Sequence, residues 1–190
     1  MLAAKTPWWL GCWVVVGCAL AGACQSQAAV GASAAEAQPI TPAPGKGNPA
    51  QNFANAYLVV QTKLALDDFA AARTALAGVR SAAQVPALAL APELKKRIET
   101  ASVEGGAASD IAKLRVQFAG LSEAMLAYFG SQPNPLSAPL VVAHCPMALD
   151  GKGAKWLQTG DALRNPYYGA EMLTCGSVEA TVKPGKKVGG

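Results

Sequence analysis

The chain contains little histidine and little sulfur, and both are unevenly placed. Of its 190 residues, one is histidine, four are methionine and five are cysteine. Three of the cysteines fall within the first 24 residues. In the rest of the chain, all of these side chains except Met125 lie in two short strings, His144-Cys145-Pro146-Met147 and Met172-Leu173-Thr174-Cys175. Sulfur and imidazole are thus concentrated at the two ends of one segment of about thirty residues, and they favour soft metal ions.

The single histidine also bears on enzyme chemistry. A Ser-His-Asp triad would have to use His144, whose neighbour Cys145 points to the opposite side of an extended chain, so these two make a poor nucleophile–base pair. No glycine-rich phosphate loop is evident, because Gly105-Gly106 is explained better as a helix break. We therefore expect a protein that is not an enzyme.

Charged residues are scarce as well. They make up 15% of the chain and leave a formal net charge of +4. The sequence lacks a stripe of lysine and arginine with interleaved aromatic residues, so nucleic acid is disfavoured as a partner.

The N-terminal segment has the pattern of an export signal. Lys5 is the only charged residue among the first 35. An apolar run at residues 8–20 follows, and small residues then lead to Cys24. This run is too short for a convincing membrane-spanning helix. We therefore predict a signal peptide at residues 1–23 and a periplasmic protein.

The cysteines in this segment indicate a lipoprotein. Residues 20–24 differ by one residue from a Leu-Ala-Gly-Cys lipobox, so Cys24 is the expected lipidation site and a lipid is the expected membrane anchor. Cys18, which follows Val-Val-Gly, is the alternative site. Simple cleavage, which would release a soluble periplasmic protein, is the third possibility.

Both ends of the mature chain have compositions that cannot build a core. Residues 24–48 are rich in Ala, Gln, Ser, Pro and Gly, and are predicted to form a flexible tether. Residues 181–190 are predicted to form a disordered tail. The folded domain is then expected at residues 49–180, in a compartment that permits disulfides.

Apolar spacing in this domain predicts four helices, at roughly 49–65, 67–84, 92–104 and 109–130. The fold class is therefore predicted as all-α, an antiparallel helical bundle with an irregular C-terminal subdomain that begins near Leu140. The side chains expected inside the bundle are Phe53, Tyr57, Leu76, Leu114, Phe118 and Leu121.

Two interpretations of the cysteine strings remain open. In the first, Cys145, Met147, Met172 and Cys175 converge on Cu(I) or Ag(I), with His144 as an alternate or fifth ligand. In the second, Cys145 and Cys175 form a disulfide. That bond would close a loop of about 31 residues and stabilise the fold by about 3–4 kcal/mol through the unfolded chain.

Several motifs resemble an uncharacterised helical domain. This domain occurs alone in exported bacterial proteins, and also at the C-terminus of periplasmic adaptor subunits of heavy-metal (copper/silver) RND efflux systems. The motifs are Cys-Pro-Met-Ala at 145–148, Ala-Lys-Trp-Leu-Gln at 154–158, Asn-Pro-Tyr-Tyr-Gly at 165–169 and Met-Leu-Thr-Cys-Gly at 172–176. Upstream matches are Tyr57-Leu58, Asp67-Asp68, Ala71-Ala72, and Arg115, Phe118, Leu121 and Ser122.

The resemblance covers residues 50–178 and implies a small helical domain that works in copper handling. Lipoyl-like segments, β-barrel segments and a long coiled-coil hairpin are not evident in the sequence, so it would be the stand-alone form. The expected function is that of a periplasmic Cu(I)- or Ag(I)-binding protein that serves a heavy-metal efflux complex or another periplasmic copper protein. The alternative is a non-catalytic structural or interaction domain with a Cys145–Cys175 disulfide.

Overall fold

The computed structural model describes residues 48–189. The predicted signal peptide, both candidate lipidation sites Cys18 and Cys24, and the predicted tether up to residue 47 lie outside the described residues. Helices α1 (Pro49–Ala65), α2 (Phe69–Ala83), α3 (Pro92–Gly106) and α4 (Ile111–Ser131) form the first part of the fold. Short 3-10 helices lie at Pro86–Leu88 and Gly169–Met172.

Helices α1, α2 and α4 begin where a side chain caps the first turn, whereas α3 begins at Pro92 without a side-chain cap. Asn48 accepts a hydrogen bond from the N–H of Ala50 at 3.0 Å, and Pro49 occupies the first helical position. Asp68 caps α2 by accepting from Ala71 N–H at 3.0 Å. The four predicted helices are confirmed, with ends shifted by up to two residues.

Each helix packs mainly on the next one along the chain, α1 on α2, α2 on α3 and α3 on α4. Their shared core contains the six side chains predicted to lie inside, and each of them is buried. The apolar spacing therefore identified the correct faces of the helices.

The all-α prediction is wrong, because a three-stranded antiparallel sheet follows the helices. Its strands are β1 (Leu140–Cys145), β2 (Ala154–Gln158) and β3 (Ser177–Val182), arranged in the order β2-β1-β3. A short helical turn, α5 (Ala148–Gly151), joins β1 to β2. The segment from Leu140 was predicted to be irregular, but β1 pairs with β2, which follows it closely, and with β3, which lies far along the chain. Pairing of this kind depends on tertiary context more than on local propensity.

The sheet is attached to the helices through β2, which packs on α4 and α1. Trp156 and Leu157 of β2 are fully buried. The Tyr57 hydroxyl, on α1, accepts a hydrogen bond from the backbone N–H of Leu157 at 3.0 Å, so a helix side chain satisfies this part of the strand edge.

The structure also differs from the predicted disordered tail at residues 181–190. β3 extends to Val182, and the segment after it is hydrogen-bonded to the end of α4 and the loop that follows. Asn134 N–H donates to Lys186 O at 2.7 Å, and the N–H of Val188 donates to Phe129 O at 2.8 Å. Val182 is also buried in the core and Val188 packs against it, so two valines and these backbone hydrogen bonds order a segment whose overall composition predicts disorder.

No helix within residues 48–189 is long and apolar enough to cross a membrane.

Candidate functional site

The two cysteines of the domain meet. Cys145 Sγ lies 3.2 Å from Cys175 Sγ, in hydrogen-bonding contact, and both are free thiols. Cys145, at the end of β1, is fully buried, whereas Cys175 is partly exposed. The prediction that the two strings bring these residues together is confirmed. We refer to Cys145 and Cys175 as the thiol pair.

The pairing of β1 with β3 brings Cys175 to Cys145. His144 is opposite Ser177 in the sheet, so the residues just before β3 run beside the end of β1. Gly176 has φ of +126°, and a Cβ atom there would lie 2.6 Å from the carbonyl oxygen of His144. Only glycine fits this close backbone approach without strain.

The loop before Cys175 is ordered by Asn165. The Asn165 side chain, which is fully buried, donates from Nδ2 to Cys175 O at 3.0 Å and accepts from the N–H of Tyr167 at 2.8 Å. The Asn165 N–H donates to Leu173 O at 2.7 Å. The Tyr167 ring packs edge-on against Trp156 with 6.0 Å between centroids. The backbone position of Cys175 is therefore set by buried hydrogen bonds.

The electrostatic surroundings of Cys175 favour its protonated thiol. The hydrogen bond with the Cys145 thiol raises the pKa of Cys175, and desolvation and the charge of Cys145 raise it further. Desolvation and then the charges of both cysteines raise the pKa of Tyr168, which indicates that this ring lies near the pair. The Tyr168 hydroxyl donates to Met147 O at 2.7 Å and so links the loop to the segment after β1.

The two methionines differ in setting. Met147 is 51% exposed and has helical dihedral angles, because β1 ends at Cys145. Cys145 and Met147 therefore do not lie on one extended segment, so the strand geometry does not place both sulfur atoms on the same face. Met172 ends the second 3-10 helix, and the N–H of Cys175 donates to Met172 O at 3.0 Å. This hydrogen bond forms one helical turn between Met172 and Cys175.

His144 is not brought to the thiol pair. Successive residues of a strand point to opposite faces, so the His144 side chain leaves β1 on the side away from Cys145. Its Nδ1 lies 3.5 Å from Glu179 Oε1, and Lys155 Nζ lies 2.7 Å from Glu179 Oε2. Glu179 is the extra residue of a β-bulge in β3. This charged group explains the position of His144 without a metal.

Carboxylates and imidazole do not complete a metal centre in the described part of the chain. No group of three or more His, Cys, Asp or Glu residues converges within residues 48–189. The thiol pair therefore offers two sulfur ligands, with thioethers two and three residues away along the chain.

Sequence reasoning missed two residues that hold the site in place. Asp67, in the α1–α2 turn, accepts hydrogen bonds from Arg115 of α4 and from the backbone of Ala170 in the site loop. The hydrogen bond from Ala170, followed by the interaction with Arg115, holds the pKa of Asp67 below its usual value. Asp67 and Asp68 both precede α2, but only Asp68 caps that helix. In the sequence, the signal for these residues lay in the motifs that resemble the uncharacterised helical domain. Those motifs contain Asp67, Arg115 and residues 165–169.

Comparisons with known proteins identify no relative: no protein-family model, curated protein or solved structure matches the chain.

Proposed function

We propose that this protein binds one soft monovalent ion, Cu(I) or Ag(I), through the thiolates of Cys145 and Cys175. The observation that carries the proposal is the 3.2 Å separation of the two sulfur atoms. Both thiols are free, and the partial exposure of Cys175 provides a way in for the ion. A small outward movement of either side chain would make room for a metal between them.

The chemistry of the donors selects the class of ion. Thiolates and thioethers prefer Cu(I) over magnesium or calcium, and zinc sites are usually completed by four Cys, His or carboxylate ligands. Within the described residues, no His, Asp or Glu side chain joins the two cysteines to form a group of three. Met147 and Met172 are the proposed additional ligands. Met147 lies two residues from Cys145, and Met172 lies three residues from Cys175. A thioether sulfur is also a softer donor than a water oxygen.

Binding exchanges protons for metal. The two thiols release two protons as two S–Cu bonds form, so a bis-thiolate complex of Cu(I) carries one negative charge. Because the pKa of Cys175 is raised, its thiol is protonated at neutral pH, and uptake must displace that proton.

We further propose that the ion is passed to, or sensed for, a heavy-metal efflux complex or another copper protein of the periplasm. Support for this setting comes from the resemblance of residues 50–178 to the domain found with copper and silver efflux adaptors. A lipid anchor at Cys24 belongs to the same proposal.

The decisive experiment is a Cu(I) competition titration. The full chain, with Cys12, Cys18 and Cys24 changed to serine, is reduced and titrated with Cu(I) against a chromogenic chelator. The Cys145→Ser/Cys175→Ser variant in the same background should lose competition. His144→Ala is the matched control, because its side chain faces away from the pair. Equal, poor competition by the parent and the double variant contradicts metal binding.

A second candidate rests on the same contact. Sulfurs 3.2 Å apart in an oxidising compartment are placed to form a disulfide, and the protein would then be a structural or interaction domain. Thiol counting on protein isolated under acid quench separates the two candidates. Free Cys145 and Cys175 support the metal site, and their complete oxidation supports the disulfide.

A further inference from the structure

The loop that carries Met172 and Cys175 is joined to the helices by an ion pair between a largely buried arginine and a partly exposed aspartate. Asp67 Oδ1 accepts a hydrogen bond from Arg115 Nη2 at 2.6 Å, while Asp67 Oδ2 accepts one from the N–H of Ala170 at 2.8 Å. One carboxylate therefore bridges α4 and the loop. We refer to Asp67 and Arg115 as the clamp.

The second half of the clamp reaches the loop directly. Arg115 Nε donates to Pro166 O at 2.9 Å, and its Nη2 also lies 3.4 Å from Leu64 O. The Arg115 side chain is only 14% exposed, whereas the other arginines in ion pairs are about half exposed. Asp67 is 41% exposed, so the pair is shielded on its Arg115 side only, and the charge-assisted hydrogen bonds of Arg115 are stronger than those of a fully exposed arginine.

The backbone is shaped to fit this contact. Asp67 has φ of +57° and Gly169 has φ of +61°, so both adopt the left-handed conformation. A side chain at residue 169 would collide with the Asp67 carboxylate. The loop can approach Asp67 this closely only because residue 169 is glycine.

We propose that Asp67 and Arg115 are positioning residues that hold the site loop so that Cys175 rests against Cys145. Neither residue touches a sulfur atom. They fix Pro166 and Ala170, and Asn165 passes this order to the backbone of Cys175 through its 3.0 Å hydrogen bond. The clamp thereby raises the effective concentration of one thiol at the other.

The effect of the clamp on metal binding rests on the proposed function, because it requires that the thiol pair binds Cu(I). The effect of the clamp on the thiol–disulfide equilibrium does not require metal binding. When oxidised glutathione accepts two electrons from the pair, Cys145 and Cys175 each lose a proton and an S–S bond forms. Two molecules of reduced glutathione are the other products. The equilibrium constant of this exchange measures how well the fold holds the thiols together.

The test uses the full chain, free of metal, equilibrated in glutathione buffers of defined composition. Acid quench, alkylation and mass spectrometry then give the oxidation state of the peptides that contain Cys145 and Cys175. The variants are Asp67→Asn, which keeps the shape, and Asp67→Gly, which suits φ of +57° and removes the carboxylate. Arg97→Gln, which breaks an exposed arginine–carboxylate contact at 3.1 Å, is the matched control.

Both Asp67 variants should lower the equilibrium constant about tenfold or more, which corresponds to about 30 mV or more for a two-electron couple. Arg97→Gln should leave it unchanged. Arg115→Lys keeps the charge but loses the forked donor, so its equilibrium constant should lie between those of the parent and the Asp67 variants. The helical circular dichroism of each variant is checked first, and the variants that keep it decide the question. Values equal to the parent for those variants would overturn the proposal.

The same experiment separates this proposal from the metal site. A protein that fails the Cu(I) titration but whose Asp67 variants shift the thiol equilibrium contradicts metal binding and supports the clamp. A protein that binds Cu(I) with equal affinity and equal thiol equilibrium in every variant keeps the metal site and loses the clamp.

Discussion

The hydroxyl of Tyr57 accepts a hydrogen bond from the backbone N–H of Leu157 at 3.0 Å, so a side chain of α1 supports the edge of β2. The same hydroxyl lies 2.8 Å from Ser122 Oγ on α4, and the Tyr57 ring stacks on Phe118 with 5.3 Å between centroids. One buried phenol therefore ties two helices to the sheet.

Replacement of Tyr57 by phenylalanine should show how much this hydroxyl contributes to the free energy of unfolding. Tyr57→Phe keeps the stacked ring but leaves the Leu157 N–H and the Ser122 hydroxyl without this partner. Because an unsatisfied buried polar group costs about 1–3 kcal/mol, we expect a loss of that size in the free energy of unfolding. Urea unfolding followed by circular dichroism measures it. Tyr168→Phe, which removes a more exposed phenol, should cost less, and equal losses would contradict this role for Tyr57.

The buried tyrosines also predict a loss of stability at alkaline pH. Burial raises the pKa of Tyr57, and burial together with the neighbouring Tyr57 raises the pKa of Tyr167. A group with a raised folded-state pKa contributes stability that is fully present below its unfolded pKa of about 10. That contribution is lost as the pH rises from there toward the folded-state pKa. The free energy of unfolding should therefore fall steadily above about pH 10.

Unfolding curves at a series of pH values test this loss. Tyr57→Phe should flatten the alkaline part of the curve, because the substituted ring cannot ionise in the unfolded chain. An unchanged slope in the variant would assign the alkaline loss to other groups.

Gly176 should be intolerant of any side chain. Its φ of +126° is strained for other residues, and an added Cβ would meet the backbone of His144. We expect Gly176→Ala to destabilise the fold by about 1–3 kcal/mol and to separate the thiol pair. Gly120→Ala is the control, since open space surrounds that helical position and alanine favours helix. Thermal unfolding and the glutathione equilibrium of the pair measure the two effects.

Cu(I) affinity should follow a fixed order among the candidate ligands. Cys145→Ser and Cys175→Ser should each abolish tight binding, because each removes a thiolate. Met147→Leu and Met172→Leu preserve volume and should weaken binding more modestly, and His144→Ala should have the smallest effect. Uptake should also weaken as the pH falls, because protons compete for the thiolates. A His144→Ala effect as large as that of either cysteine would contradict the arrangement of the site.

The helices followed from local pattern, whereas the site framework depended on long-range contacts. Apolar residues at helical spacing, such as Phe53, Tyr57 and Leu64, are a direct consequence of one buried face, so their positions could be predicted. The sheet could not, because β2 contains no β-branched residue and β3 pairs with β1 from far along the chain.

The site shows the same division. That Cys145 and Cys175 approach one another could be inferred from the two strings that flank one subdomain. The role of Asp67 could not, because Arg115 is 48 residues away and Ala170 is 103 residues away. An aspartate before a helix has a simple local explanation as a cap, and no spacing rule identifies a partner at those distances.

The strand order β2-β1-β3 has a consequence for the growing chain. β1 occupies the centre of the sheet, yet both of its neighbours are synthesised after it. Until Ser177–Val182 is available, one complete edge of an apolar strand has no partner. A chain interrupted before that point would retain its four helices but display an open β-edge ending in an unpartnered Cys145 thiol. Truncated products of this protein should therefore associate through this edge more readily than the full chain does, which size-exclusion chromatography of the two at equal concentration would measure.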